Sequence, residues 1–119
     1  MIAAPRLSLS DGSTIPQLGI GTYKVPADVT ADLVEGALAA GYRHVDTAAL
    51  YGNEAEVGQG LRASGLDRDE VFVTTKVWND DQGFDATLRA FDASSARLGL
   101  DRVDLYLIHW PIPSADRYV

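Results

Sequence analysis

The sequence predicts an α/β fold with a parallel sheet, and three observations support this prediction. Short segments rich in β-branched residues alternate with segments whose apolar residues recur every three or four positions. A turn signal, Asp11-Gly12, precedes them and predicts an initial hairpin. Charged and histidine side chains lie where three successive predicted strands end. The order is hairpin and then β-α-β-α-β-α-β, which fits an open doubly wound sheet or a (β/α)₈ barrel.

Composition limits the kind of protein. The chain has 119 residues, 46% hydrophobic and 23% charged, so we expect residues 1–119 to form one domain. It contains no cysteine, which excludes disulfides and thiolate metal sites. The net charge is −7 and the ten basic residues are scattered, which argues against a nucleic-acid partner. No segment is long enough to span a bilayer, and Met1–Arg6 is too short for a secretory signal; we expect a cytoplasmic protein without a membrane partner.

The strand predictions follow from alternation and β-branched content. Alternating residues flank Asp11-Gly12, and a hairpin turn of this type requires positive φ at both residues. The next segment, Gln17–Thr22, is a short glycine-rich strand, which suggests close approach to its backbone. The three remaining predicted strands are Arg43–Thr47, Val71–Thr75 and Val103–Ile108.

Three helices are predicted from apolar periodicity, at about Asp28–Ala40, Asn53–Ser64 and Phe84–Leu98. Asn53 is a candidate N-cap for the second helix. Core-facing residues are expected on the first helix at Val29, Leu33, Val34, Ala37 and Leu38, on the second at Val57 and Leu61, and on the third at Phe84, Leu88, Phe91, Ser95 and Leu98.

The candidate functional residues lie at strand ends. Asp46 is near the end of one predicted strand, Lys76 follows the next, and His109 closes the last. Strand alternation places them on one face, where a buried Asp and Lys would have to pair with each other. Each residue alone has an ordinary structural explanation, and Tyr51 alone would be read as packing. Their joint position at the carboxyl ends of parallel strands favours a functional site.

Two other patterns are weaker. The letters Gly58-Gln59-Gly60 match a dinucleotide-binding fingerprint, but they fall inside a predicted helix and not at a strand-to-helix turn. A metal-dependent barrel hydrolase using His44, Asp46 and His109 is an alternative, although three such residues on two strands are a weak metal signal. We therefore predict no metal site.

One long motif closely resembles the N-terminal signature of the aldo-keto reductases. It comprises Gly41 to Ala48, Glu54 and Val57-Gly58, and Gly19 to Tyr23, Thr75 to Trp78 and Asp104 to Pro111 resemble other strands of that family. The resemblance covers essentially all of the chain but only the first half of the family's domain. It implies a (β/α)₈ TIM barrel, represented here by the N-terminal hairpin, four β-strands and three helices of a half-barrel.

The resemblance implies roles for individual residues. Asp46, Tyr51, Lys76 and His109 correspond to the family's catalytic tetrad. Tyr51 would donate a proton to the carbonyl oxygen, Lys76 would favour the phenolate, Asp46 would hold Lys76, and His109 would orient the carbonyl. Gly21, Thr22 and Asp46 would lie on the cofactor side, and the aromatic walls of the substrate pocket would be Tyr23, Trp78 and Trp110.

The implied activity is NADPH-dependent reduction of an aldehyde or ketone to an alcohol. The residues that grip most of the NADPH come from later parts of the family's domain, so this chain would supply the tetrad but little of the cofactor site. The partners implied are a small carbonyl substrate and either the C-terminal half or a second copy of this chain. A non-catalytic half-barrel that serves interaction or oligomerisation is the main alternative.

Overall fold

The computed structural model describes residues 4–118. Within them, six strands form β1 (Arg6–Ser8), β2 (Thr14–Pro16), β3 (Ile20–Gly21), β4 (His44–Asp46), β5 (Phe72–Val77) and β6 (Leu105–Ile108). The three α-helices of the same residues are α1 (Ala27–Ala39), α2 (Glu54–Ala63) and α3 (Phe84–Leu98). None of these helices has both the length and the apolar character needed to cross a membrane.

The main sheet is parallel and has the strand order β3-β4-β5-β6 in residues 4–118. Each α-helix connects two adjacent strands, which is the repeating unit of a (β/α)₈ barrel. The register pairs Gly21 with Asp46, and Asp46 with Thr74, so the carboxyl ends of the strands lie at one edge. The predicted fold class is confirmed: the described residues form the hairpin, parallel sheet and helices of a half-barrel.

The hairpin pairs β1 with β2 and places Leu7 opposite Ile15. The expectation of positive φ at both Asp11 and Gly12 is wrong, because only Gly12 adopts it, at +85°. The Gly12 amide bonds to the Leu9 carbonyl, and the Leu9 amide bonds to the Ser13 carbonyl. This is a three-residue loop, in which a glycine follows a tight turn, and Asp11 stabilises it by accepting a hydrogen bond from the Ser13 amide.

The hydrophobic core lies between the main sheet and its helices. It consists of Val34, Leu38, Val45, Val57, Leu61, Val71, Val73 and Leu98. The two core residues predicted on α2 are confirmed, but the stripe predicted on α3 is wrong at its N-terminal end. Phe84 is 86% exposed and Leu88 is 55% exposed, because α3 contacts the sheet mainly through its second half. On α1, Val29 and Leu33 are also exposed, because this helix contacts α2 along a narrower face than predicted.

The glycines inside α2 permit close packing against its neighbours. A Cβ atom at Gly58 would lie 2.2 Å from the Leu98 carbonyl oxygen, and one at Gly60 would lie 2.6 Å from the Ala31 carbonyl oxygen. The helix therefore approaches the end of α3 and the middle of α1 at distances that a side chain would prevent. This explains the two glycines without any nucleotide-binding role.

We expect Gly58→Ala to lower the free energy of unfolding by about 1–3 kcal/mol, because the Leu98 backbone cannot yield to the new methyl group. Gly36→Ala is the matched control, since a Cβ at this exposed position in α1 would meet nothing within 4 Å. The control should gain about 0.5–1 kcal/mol from helix propensity. Urea unfolding of the two variants measures both changes, and equal effects at the two positions would contradict the packing argument.

Candidate active site

The candidate site is centred on Lys76, the fifth residue of β5. Its ammonium group lies 2.6 Å from Asp46 Oδ1 and 2.8 Å from the Thr47 carbonyl oxygen. The Lys76 side chain is only 13% exposed, so a charged group in this position requires partners of this kind. The pairing of Lys76 with Asp46 that strand alternation suggested is therefore present.

Tyr51 reaches the same point from a different element. It ends the 3₁₀ turn Ala49–Tyr51, which follows β4, and Gly52 closes that turn at a φ of +69°. The Tyr51 hydroxyl lies 3.4 Å from Lys76 Nζ, at the long end of hydrogen-bonding distance. Asp46, Lys76 and Tyr51 thus form a continuous polar chain that ends at the partly exposed phenol.

His109 completes the cluster from the end of β6. Its ring centroid lies 5.6 Å from that of Tyr51 and 5.2 Å from that of Trp78, both in edge-to-face geometry. Burial lowers the pKa of His109, and the nearby Lys76 cation lowers it further, against an opposing effect of Asp46. The lowered pKa favours the neutral form of the ring. Its Nδ1 atom is buried and has no hydrogen-bond partner within residues 4–118.

The predicted aromatic walls are arranged unequally around this cluster. The Tyr23 ring packs 5.1 Å from the Tyr51 ring and is 60% exposed. Trp78 contacts His109, whereas Trp110 is 62% exposed and contributes its carbonyl oxygen to a 2.6 Å hydrogen bond from Gln82. In the described residues the three rings therefore border an open surface and not a closed pocket. The roles of these three residues in substrate binding stay a prediction.

Two of the predicted cofactor residues, Gly21 and Thr22, lie on the side of Asp46 away from Lys76, because β3 and β5 flank β4 on its two sides. Gly21 is exposed, and a Cβ atom at this position would project into empty space. Thr22 is fully buried, and its hydroxyl lies 2.9 Å from the Thr47 hydroxyl. Its side chain is thus occupied within the protein, and we expect Thr22 to act through the turn that it anchors.

Glu54, which the sequence indicated only as part of a motif, holds the elements of the site together. Its side chain is 1% exposed and accepts hydrogen bonds from Thr75, Ser94 and two nitrogens of Arg97. Thr75 precedes Lys76, so this carboxylate joins α2, α3 and the strand that carries the lysine. Burial, and to a smaller extent the Glu54 charge, raises the pKa of Tyr106 to about 12, which favours its neutral form.

Asn53 also has a role different from the predicted one. It occupies the N-cap position of α2, but its side chain makes no capping hydrogen bond. It is 1% exposed, and its amide nitrogen donates to the carbonyl oxygens of Thr22 and Val25. The sequence indicated Asn53 only as a candidate N-cap, and no local pattern indicates that its partners Thr22 and Val25 lie some thirty residues earlier.

His44 and Asp46, which the metal-dependent hydrolase alternative would use as metal ligands, contact other side chains instead. His44 Nε2 lies 3.0 Å from the Thr74 hydroxyl, and Asp46 is paired with Lys76. Within residues 4–118, no three His, Cys, Asp or Glu side chains form a group that could hold a metal ion. A cavity of about 450 Å³ lies beside the site, but it opens on the helix side, between Glu54, Trp78 and Arg97, and does not include Tyr51 or Lys76.

Comparison with known proteins shows the family of this chain. The model of the aldo/keto reductase family matches residues 16–118. An aldo-keto reductase of Mycolicibacterium smegmatis is 55% identical over 116 residues, which is 98% of this chain and 42% of the relative. The chain belongs to the aldo/keto reductase family.

Solved structures extend the comparison to three dimensions. The crystal structure of an aldo/keto reductase from Brucella melitensis matches with a TM-score of 0.95 and 52% identity, over 99% of this chain and 45% of that one. The Bombyx mori aldo-keto reductase in complex with NADP matches with a TM-score of 0.89 and 45% identity, over 94% of this chain and 40% of that one. The chain thus spans less than half the length of these relatives.

We expect the chain to lose stability as pH falls below about 6.5, because the half-buried position of His44 favours its neutral form. Burial lowers its pKa, and Asp46 only partly opposes this. The unfolded chain therefore takes up a proton at higher pH than the folded chain does. The stability is complete above the unfolded pKa and declines as pH falls towards the lowered one.

Urea unfolding between pH 8 and 5 tests this expectation. His44→Gln removes the titrating group and retains an amide that can bond to Thr74, so its decline should be shallower than that of the parent chain. His109, the other histidine of the sequence, contributes to the decline that remains, since its pKa is also lowered. Equal slopes for the parent and the variant would contradict a role for His44.

Proposed function

We propose that this chain provides the proton-transfer site of an NADPH-dependent carbonyl reductase, which converts an aldehyde or ketone to an alcohol. In this proposal Tyr51 donates a proton to the carbonyl oxygen, and Lys76 and Asp46 promote that transfer. The observation that carries the proposal is the position of the Lys76 ammonium between the Asp46 carboxylate and the Tyr51 hydroxyl.

The electrostatics of this chain of groups support proton donation by Tyr51. A cation beside the phenol stabilises the phenolate that remains after the proton has left. Asp46 and the Thr47 carbonyl keep the cation in place, and the low exposure of Lys76 limits screening by water. Tyr51 is partly exposed, and in this proposal its hydroxyl is the group from which a substrate oxygen accepts the proton.

His109 is suited to orient the substrate. A neutral imidazole retains one N–H group, which can donate a hydrogen bond to a carbonyl oxygen. The lowered pKa of His109 favours that neutral form, and its ring lies edge-on to Tyr51. We propose that the carbonyl oxygen lies between the two side chains and accepts a hydrogen bond from each, with Tyr23, Trp78 and Trp110 around the rest of the substrate.

The residues near Asp46 suit one end of a nicotinamide cofactor. Gly21 leaves open space beside the carboxyl end of β4, into which a flat ring would fit. When bound, the reduced nicotinamide supplies the hydride. Gly21 and Asp46 would border the ring, while Thr22 would hold the turn next to it. The described residues offer no comparable groups for the rest of the cofactor, so we propose that other segments of the complete protein bind it.

An exposed apolar face favours further elements beside this half-barrel. Phe84 and Leu88 lie on α3 at 86% and 55% exposure, and Ile108 on the neighbouring β6 is 45% exposed. Within residues 4–118, β6 pairs on one side only. An unpaired strand edge next to exposed apolar side chains is a surface on which a further β/α unit would pack. If the chain is instead a non-catalytic half-barrel that oligomerises, a second copy would pack on the same surface.

We expect reductase activity when this chain is joined to the remainder of the Mycolicibacterium smegmatis relative, which is 55% identical over the matched segment. NADPH oxidation with a reactive aromatic aldehyde measures the activity. Tyr51→Phe should reduce kcat by at least about 10²-fold, because it removes the proton donor and leaves the ring packing.

Tyr42→Phe is the matched control, because it makes the same chemical change just before the other end of β4, away from Lys76. The proposal predicts activity close to that of the parent chimera for this variant. A chimera that binds NADPH but reduces no aldehyde, or one that keeps full activity after Tyr51→Phe, would show that the assignment of Tyr51 is wrong.

A further inference from the structure

The turn Thr22–Val25 carries the exposed Tyr23 ring next to Tyr51. The turn is closed by a 3.2 Å hydrogen bond from the Val25 amide to the Thr22 carbonyl. Lys24 within it has a φ of +60°, a conformation that residues other than glycine adopt at a cost. Such a turn, with the Tyr23 and Lys24 side chains exposed, needs support from elsewhere to keep one geometry.

Asn53 provides that support from beneath the turn. Its amide nitrogen lies 2.9 Å from the Thr22 carbonyl oxygen and 3.1 Å from the Val25 carbonyl oxygen. Thr22 and Val25 are the first and last residues of the turn. Since carbonyl oxygens only accept hydrogen bonds, the nitrogen and not the oxygen of the amide must face them. Both N–H groups of one side chain are thus used to bridge the two ends of the same turn.

The same side chain adjoins the turn that carries Tyr51. Asn53 follows Gly52 directly, and Thr47 precedes the segment, so two buried polar residues bracket the Tyr51 turn. The Thr47 hydroxyl lies 3.5 Å from the Asn53 oxygen and 2.9 Å from the Thr22 hydroxyl. These contacts join the turns of Tyr23 and Tyr51, whose rings pack at a tilt of 42° with centroids 5.1 Å apart.

We propose that Asn53 is a positioning residue that holds the Tyr23 turn against the Tyr51 turn. It thereby sets the distance between the proton donor and the aromatic wall that faces the substrate. The catalytic meaning of this inference rests on the proposed function, but the contact itself does not. An aspartate of nearly the same volume cannot replace Asn53, because its carboxylate would face two carbonyl oxygens without a proton to donate.

Hydrogen–deuterium exchange of the 119-residue chain tests the contact itself. In Asn53→Asp the Val25 amide should exchange at least about tenfold faster relative to the amides of β5, because the turn opens locally. Gln59→Glu is the matched control: it makes the same amide-to-carboxylate change at an exposed position of α2 and should leave the ratio unchanged. An unchanged ratio in Asn53→Asp would overturn the proposal.

The consequence for catalysis is tested in the chimera described above. Misplacing a substrate-contacting group by about 1 Å can reduce the rate by about 10²-fold, so we expect kcat/KM for an aromatic aldehyde to fall by 10- to 100-fold in Asn53→Asp. The KM for an aromatic aldehyde should rise more than that for a small aliphatic one, because only the larger substrate reaches Tyr23. A merely structural effect would lower kcat for both alike, with both KM values unchanged, and would overturn the positioning role.

The two tests separate the inference from the proposed function. If the parent chimera reduces no aldehyde while Asn53→Asp still releases the Val25 amide, the proposed function fails and the contact stands. If Asn53→Asp does not fold, Thr47→Val decides the matter, since it keeps the volume and removes the hydroxyl that orients the Asn53 amide. Thr47→Val should raise the exchange rate of the Val25 amide relative to the β5 amides, by a smaller factor than Asn53→Asp. If this exchange ratio and the KM for the aromatic aldehyde both stay unchanged in Thr47→Val, the proposal is overturned.

Discussion

The buried carboxylate of Glu54 is the interaction on which the arrangement of the site depends. A charge with 1% exposure destabilises a protein unless several donors satisfy it. Here the donors come from β5, through Thr75, and from α3, through Ser94 and Arg97. Because a carboxylate must have these partners, α2, α3 and β5 are held in one relative position.

That position carries over to the polar chain of the candidate site. Thr75 points to the helix side of the sheet and Lys76, the next residue, points to the other side, so fixing one fixes the other. Asn53, which precedes Glu54, connects the same start of α2 to the turn after β3. Two adjacent residues at the start of α2 thus contact β5, α3 and the turn after β3.

The fold was largely predictable because its signals are local. The helix bounds were predicted within one or two residues, since periodic apolar residues and terminal glycines such as Gly99, at a φ of +68°, are read directly from the sequence. The errors concern how much of each face is covered. Phe84 and Leu88 continue the apolar stripe of α3, but periodicity cannot tell whether a neighbouring element is present to bury them.

The sequence by itself determined the class of fold, the side of the sheet on which Asp46, Lys76 and His109 lie, and, through its motifs, the family resemblance. Only the tertiary structure decided how the groups meet. The 3.4 Å contact of Tyr51 with Lys76 depends on a turn outside any strand. The carbonyl groups that accept from Asn53 and the donors to Glu54 are between 21 and 43 residues away. Side-chain hydrogen bonds across such separations leave no periodic pattern, because they depend on where whole elements pack and not on the residues that adjoin them.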